Sequence, residues 1–222
     1  MNARHNIRRT DSCTEGGFAK TSPRFGVVTA QGGWRKVTWG VVAGVAAVAT
    51  AGSLMVPSAA IAAEWVNVGG TQYNAGTAAG DAAGTWNWDG ADDMKLNGYD
   101  GGAIKAAGKL NVAYEGKNTV KADSDSGGAA IKAENGANQK AELNIESSKS
   151  SDELNVTAEA DAIKSSGDLS ISGPGTVNTT STASDGIEAK GDLSITGSGT
   201  VNATGGTEGI QSKGKTTIDS SG

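Results

Sequence analysis

The 222-residue sequence predicts an all-β chain, wound as a single-stranded parallel β-helix of about five coils with three short strands each. Three observations predict it. A unit of about 23 residues recurs through the body of the chain. Apolar residues inside the unit alternate with polar ones, the period of a strand rather than of a helix. Glycines fall where the alternation breaks, and glycine supplies the unusual dihedrals that tight turns need.

The clearest unit is residues 186–203, matched almost position for position by residues 162–179. Earlier copies begin near Ala103 and Ala130, and a further one begins at Gly209. The leading isoleucine recurs at Ile104, Ile131, Ile163, Ile187 and Ile210, in steps of 27, 32, 24 and 23 residues. Within one unit Ile187 and Ala189 face one way, then Leu193 and Ile195, then Val201 and Ala203; Gly191 and the Gly197-Ser198-Gly199 run separate them. Each unit therefore reads as three strands that pair with their copies in the next coil. A few inward aliphatic side chains cannot offset the ordering of a whole coil, so coils must stack to complete one another's core and hydrogen-bond ladders.

Charge divides the chain. Residues 1–63 carry 7 Lys+Arg against 2 Asp+Glu, with all five Arg, the one His and the one Cys, Cys13. Residues 64–222 carry 12 Lys and 22 Asp+Glu, a balance of −10. An acidic body without arginine is a poor partner for nucleic acid. The basic stretch ending in Trp34-Arg35-Lys36, the apolar run over 37–56 and the small residues of Ala60-Ile61-Ala62 describe an export leader over 1–63. Cleavage is expected after Ala62, with Ile61-Ala62-Ala63 as the weaker second option. An uncleaved membrane anchor is the alternative, since about 20 apolar residues can span a bilayer. The expected location is secreted or cell-surface, with membrane contact only through the leader or an anchor beyond Gly222.

Residues 64–99 lack the repeat and are rich in Trp and Tyr, and are expected to form an N-terminal cap and first coil, with Met94-Lys95-Leu96 as a strand. The repeats then occupy 100–222 and stop partway through a coil, which reads as truncation. Residues 134–141 and 147–153 insert extra polar length. They are either contact loops or tolerated surface length.

Candidate chemistry follows from the stacking. Asp161, Asp185 and Glu208 each stand two residues before the leading isoleucine, so coils place them in one column about 4.8 Å apart. Such a column is either a calcium ladder, calcium favouring several oxygen ligands, or a set of solvated turn residues screened by Lys164, Lys190 and Lys213. Asp168 and Asp192 form a second column, interrupted by Lys109 and Lys215, which reads as charge alternation. Trp86, Trp88, Tyr99 and Tyr114 either stack on sugar rings as ligand-binding residues or cover the core. No catalytic residues are assigned: the body has no His, Cys or Arg, and no carboxylate pair stands apart from the repeat. Asn155-Val156-Thr157, Asn178-Thr179-Thr180 and Asn202-Ala203-Thr204 fit the glycosylation pattern, as strands rich in Asn and Thr do by chance.

Residues 96–104, Asp185-Gly186-Ile187, Gly191-Asp192-Leu193-Ser194-Ile195 and the trailing Gly-Thr-Val-Asn resemble bacterial exported carbohydrate-binding domain-containing proteins. The resemblance is to the clostridial pectin-binding type with a pectate-lyase-like right-handed β-helix, and spans residues 86–222. It implies a right-handed winding and calcium-assisted binding of an acidic plant or microbial polysaccharide such as pectin, without catalysis. Similar repeats in surface adhesins imply a structural stalk as the alternative. A polysaccharide lyase or hydrolase is the second alternative.

Overall fold

The computed structural model describes residues 62–122 and 128–220. The expected leader therefore lies outside the described residues, apart from Ala62 and Ala63.

The described chain is all-β. It opens with β1 (Trp65–Val68) and β2 (Thr71–Asn74), an antiparallel pair, then β3 (Ala79–Gly80) and β4 (Trp86–Trp88). From there the strands come in triplets. They are β5 (Asp93–Asn97), β6 (Asp100–Gly101) and β7 (Ile104–Ala107); then β8 (Lys109–Glu115), β9 (Lys117–Lys121) and β10 (Ile131–Glu134). Next come β11 (Glu142–Ser147), β12 (Glu153–Ala158) and β13 (Ile163–Ser165), followed by β14 (Asp168–Ser172), β15 (Thr176–Ser181) and β16 (Ile187–Ala189). The last triplet is β17 (Leu193–Gly197), β18 (Thr200–Thr204) and β19 (Ile210–Ser212), and β20 (Thr216–Ser220) follows it.

Each member of a triplet belongs to a different sheet, and the chain visits the three sheets in the same cyclic order throughout. The first sheet runs β19-β16-β13-β10-β7-β1-β2, the second β20-β17-β14-β11-β8-β5-β4-β3, and the third β18-β15-β12-β9-β6. Pairing between triplets is parallel at every step. At the N-terminal end the direction reverses: β1 pairs antiparallel with β7, and β4 with β5. These reversed strands cover edges that would otherwise be open to another chain.

The register is the one the isoleucine spacing predicts: Ile104, Ile131, Ile163, Ile187 and Ile210 are successive partners in the first sheet. In the second sheet Leu110, Leu143, Leu169 and Leu193 align, and so do Val112, Ile145, Ile171 and Ile195. These side chains are buried apart from Ile210, which is partly covered, and Ile218, which continues the second row, is 62% exposed. Asn118, Ser147, Ser165, Thr179 and Ser181 are polar residues within the inward rows. Asn118, fully buried, accepts from the Tyr99 amide (2.9 Å) and donates to the carbonyls of Glu115 and Gly116 (2.9 and 3.3 Å), locking the turn before β9. The hydroxyl of Thr179 is the one buried side-chain polar atom without a hydrogen-bond partner among the described residues.

Both polar insertions fold back onto the body. In the first, Gln139 donates to the Ala62 carbonyl (2.8 Å) and the Ala137 amide donates to the Glu64 carboxylate (2.7 Å). In the second, buried Asp152 accepts the amides of Gly116 (2.9 Å) and Lys149 (2.8 Å). Burial raises the Asp152 carboxyl pKa, but the amides of Gly116, Lys149 and Ser148 outweigh it and the net shift is downward. Ala63 is fully buried in the core, so the fold begins at or before it.

Glycine is required at the turn between the second and third sheets. Gly173 has φ +102° and an added Cβ would run into the Ser147 carbonyl oxygen. Gly98 has φ +76° with nothing within 4 Å of an added Cβ. Gly173→Ala is expected to cost more than the roughly 1–3 kcal/mol of backbone strain alone, and Gly98→Ala only that strain. Chemical denaturation of the two variants checks the order; equal losses would show that the close approach at Gly173 is immaterial.

Candidate functional site

Alternation that turns aliphatic side chains inward turns the intervening polar ones outward, so register creates polar columns on each sheet. On the third sheet, β12, β15 and β18 present Glu153-Asn155-Thr157, Thr176-Asn178-Thr180 and Thr200-Asn202-Thr204. Asn155, Asn178 and Asn202 are register partners, as are Thr157, Thr180 and Thr204. The asparagines interlock: Asn178 Nδ2 donates to Asn155 Oδ1 (2.9 Å), and Asn202 Nδ2 to Asn178 Oδ1 (2.8 Å). An amide has two N–H donors and two carbonyl lone pairs, so a ladder that uses one of each leaves donor and acceptor capacity at every rung. The three threonines are exposed. Charge on this sheet gathers at its N-terminal end, where Lys117 meets Glu153 (3.8 Å) and Lys121 meets Asp100 (3.4 Å). The three Asn-x-Thr triplets of the sequence are thus the rows of this grid; two-residue spacing on a strand was the signal that could have found it.

The second sheet carries a mixed-charge face. Asn111 Nδ2 donates to Asp93 (2.8 Å), and Asn144 Nδ2 to Asn111 Oδ1 (2.9 Å) and Glu142 (2.9 Å). An open groove of about 480 Å³ lies over Asp93, Lys95, Asn111, Asn144, Glu146 and Ser170. The first sheet aligns Lys105, Lys132, Lys164, Glu188 and Gln211. Lys132 pairs with Glu134, and Lys164 sits between Asp161 (2.6 Å) and Glu188.

The acids read from the sequence as a calcium column do align; the oxygens of Asp161 and Asp185 serve the turns of the next coil, whereas the Glu208 carboxylate accepts the Gln211 side chain of its own coil (3.4 Å). Asp161 Oδ1 accepts the Ser184 hydroxyl (2.5 Å) and the Asp185 amide (3.2 Å), while its Oδ2 accepts Lys164. Asp185 Oδ1 repeats the pattern with the Thr207 hydroxyl and the Glu208 amide (3.1 Å). The second column does the same: Asp168 accepts the Asp192 amide (2.9 Å), and Asp192 the Lys215 amide (2.8 Å). Among the described residues, Asp89, Asp92 and Asp93 bring carboxylate oxygens within 4.8 Å of one another; Asp161, Asp185 and Glu208 do not form such a group.

The four aromatic residues expected to meet sugar are core residues. Trp86, Trp88, Tyr99 and Tyr114 are all buried. Trp88 Nε1 donates to the Ala91 carbonyl (3.1 Å), Tyr99 to Gly102 (2.9 Å), and Tyr114 to Thr176 (3.4 Å). Burial, then the charges of Asp81 and Asp100, pushes the Tyr99 phenol up to about 12. For Trp86, Trp88 and Tyr99 the physical reason is positional, since these rings close the N-terminal end of the described winding; Tyr114 lies further in, between its register partners Leu96 and Ser147.

Residues 147–222 match the model of a family described as carbohydrate-binding domain-containing protein. This agrees with the resemblance read from the repeats, at the level of a carbohydrate-binding domain. No curated protein and no solved structure matches the chain. The matched segment contains every residue of the third-sheet Asn/Thr grid, whereas Asp93, Lys95, Asn111, Asn144 and Glu146 of the groove precede it.

Burial raises the Asp161 carboxyl pKa, but Lys164, Ser184 and the Asp185 amide outweigh it and leave it lowered. Burial lowers the Lys164 pKa, but Asp161 and Glu188 outweigh it and leave it raised. The Asp161 contribution to stability is therefore complete above the unfolded carboxyl pKa of about 3.9 and is lost as pH falls through the lower folded value. Asp161→Asn is expected to lower stability by about 1–3 kcal/mol at neutral pH and to flatten the acid limb of the stability curve. Unfolding midpoints between pH 2 and pH 7, on the order of the range in which carboxylates titrate, check both; an unchanged acid limb would remove Asp161 from the account.

Proposed function

We propose that this chain is an exported, non-catalytic polysaccharide-binding module, and that it grips its ligand on the outward face of β12, β15 and β18. The observation that carries this reading is the interlocked Asn155–Asn178–Asn202 ladder with its threonine columns, lying wholly inside the segment matched to the carbohydrate-binding family. Sugar hydroxyls both donate and accept, and amides and hydroxyls at fixed spacing answer them in kind. Rows separated by the strand spacing of about 4.8 Å suit a linear glycan laid along the winding.

The non-catalytic reading rests on how the repeat's acids are used. Asp152, Asp161, Asp168, Asp185 and Asp192 all accept backbone amides. For the same reason we read binding as independent of calcium at Asp161 and Asp185. A right-handed winding is the expected hand, because parallel strands of one sheet joined by a crossover are right-handed in the great majority of proteins.

Export through the leader over 1–63 completes the reading. Mass spectrometry of the secreted protein is expected to give Ala63 as its first residue; an intact leader would instead support the membrane-anchor alternative. Retention on a panel of immobilised polysaccharides tests the binding. Wild type is expected to be retained on at least one, equally with and without chelator. The Thr180→Ala/Thr204→Ala double variant is expected to lose about tenfold, the scale of two modest hydrogen bonds. Passage through every polysaccharide unretained would replace this reading with that of a structural stalk.

A further inference from the structure

We infer that the third-sheet face recognises an ordered, insoluble polymer of uncharged sugars rather than a soluble or acidic chain; this rests on the polysaccharide-binding reading above. Three features of the face point there. The first is its regularity. β12, β15 and β18 pair in unbroken register, so three outward residues per strand fall on a grid. The rows are about 4.8 Å apart, and alternate residues along a strand lie about 6.6 Å apart. A grid with a fixed repeat in two directions can meet many sites at once only on a ligand that is itself periodic in two directions.

The second feature is charge. Of the outward positions on these strands, only Glu153 is ionisable, and it is paired with Lys117. The three strands carry no cation of their own for a uronate, the bordering Lys117 and Lys121 of β9 are paired with Glu153 and Asp100, and the −10 balance of residues 64–222 opposes a polyanion at long range. The mixed-charge groove and the lysine column lie on the other two sheets.

The third feature is pre-organisation. The side-chain amides are held by one another, at 2.8–2.9 Å, before any ligand arrives. A soluble oligosaccharide must lose torsional freedom to match such a fixed array. A packed polymer surface has lost that freedom already, so each weak contact adds without a further ordering cost. Many such contacts in parallel give retention that single ones do not.

The test compares sedimentation of the full chain with microcrystalline cellulose and with crystalline chitin against binding of soluble cello- and chito-oligosaccharides and of polygalacturonate with added calcium. Thermal hysteresis in freezing solution is measured alongside. The expected result is co-sedimentation with a crystalline polymer, at least about tenfold weaker binding of the matching soluble oligosaccharide, and no binding of polygalacturonate. Thr180→Ala/Thr204→Ala is expected to weaken co-sedimentation about tenfold, and Thr180→Ser/Thr204→Ser, which keeps both hydroxyls, to retain it; matched unfolding midpoints show that both fold. Equal binding of soluble and crystalline forms, or binding of polygalacturonate alone, overturns this inference and leaves polysaccharide binding standing. Binding of no sugar overturns both, and thermal hysteresis without sugar binding assigns the grid to ice instead.

Discussion

Each coil buries its isoleucine, leucine and valine only because the coils on either side present the same kind of side chain at the same height. Ile131 is shielded by Ile104 and Ile163, Leu143 by Leu110 and Leu169. The backbone bonds obey the same condition, since nearly every strand finds its partners one coil away. Stability is therefore a property of neighbours rather than of units. At the N-terminal end the winding is covered by reversed strands and large aromatic rings.

Stacking that aligns the inside must also align the outside. The asparagine ladders, the lysine column and the two carboxylate columns are all by-products of one register. What distinguishes them is how far their polar atoms are consumed internally. The aspartates are spent on amides of the next coil, and Lys132 and Lys164 on nearby acids. The Asn/Thr grid keeps capacity on its outer side, which is why function is assigned there rather than to the more strongly charged columns.

The isoleucine spacing made the register legible in the sequence, because alternation and repeat length report directly on which residues stack. The column of Asp161, Asp185 and Glu208 was equally legible as a column. The hydrogen-bond partners of Asp161 and Asp185 were not, because nothing in the spacing says that Ser184, Thr207 and the following amides turn toward those two carboxylates. Trp86, Trp88, Tyr99 and Tyr114 stayed open between sugar and core for a related reason: a ring suits both equally well, and only its burial in the fold decides. The contacts of Gln139 and Ala137 with residues 62–64 span more than seventy residues of chain and leave no local trace.

The carboxylate relay has a direction: Asp161 receives the coil after it, and Asp185 receives the next in the same way. Because the two junctions are alike, excising residues 163–186 would bring Asp161 against the partners that Asp185 now holds, re-creating the same joint. Unequal recombination between neighbouring copies can thus lengthen or shorten the gene by whole turns without inventing a new interface. The extent of the grid, and with it the reach of the molecule along a surface, is open to evolution by copy number alone.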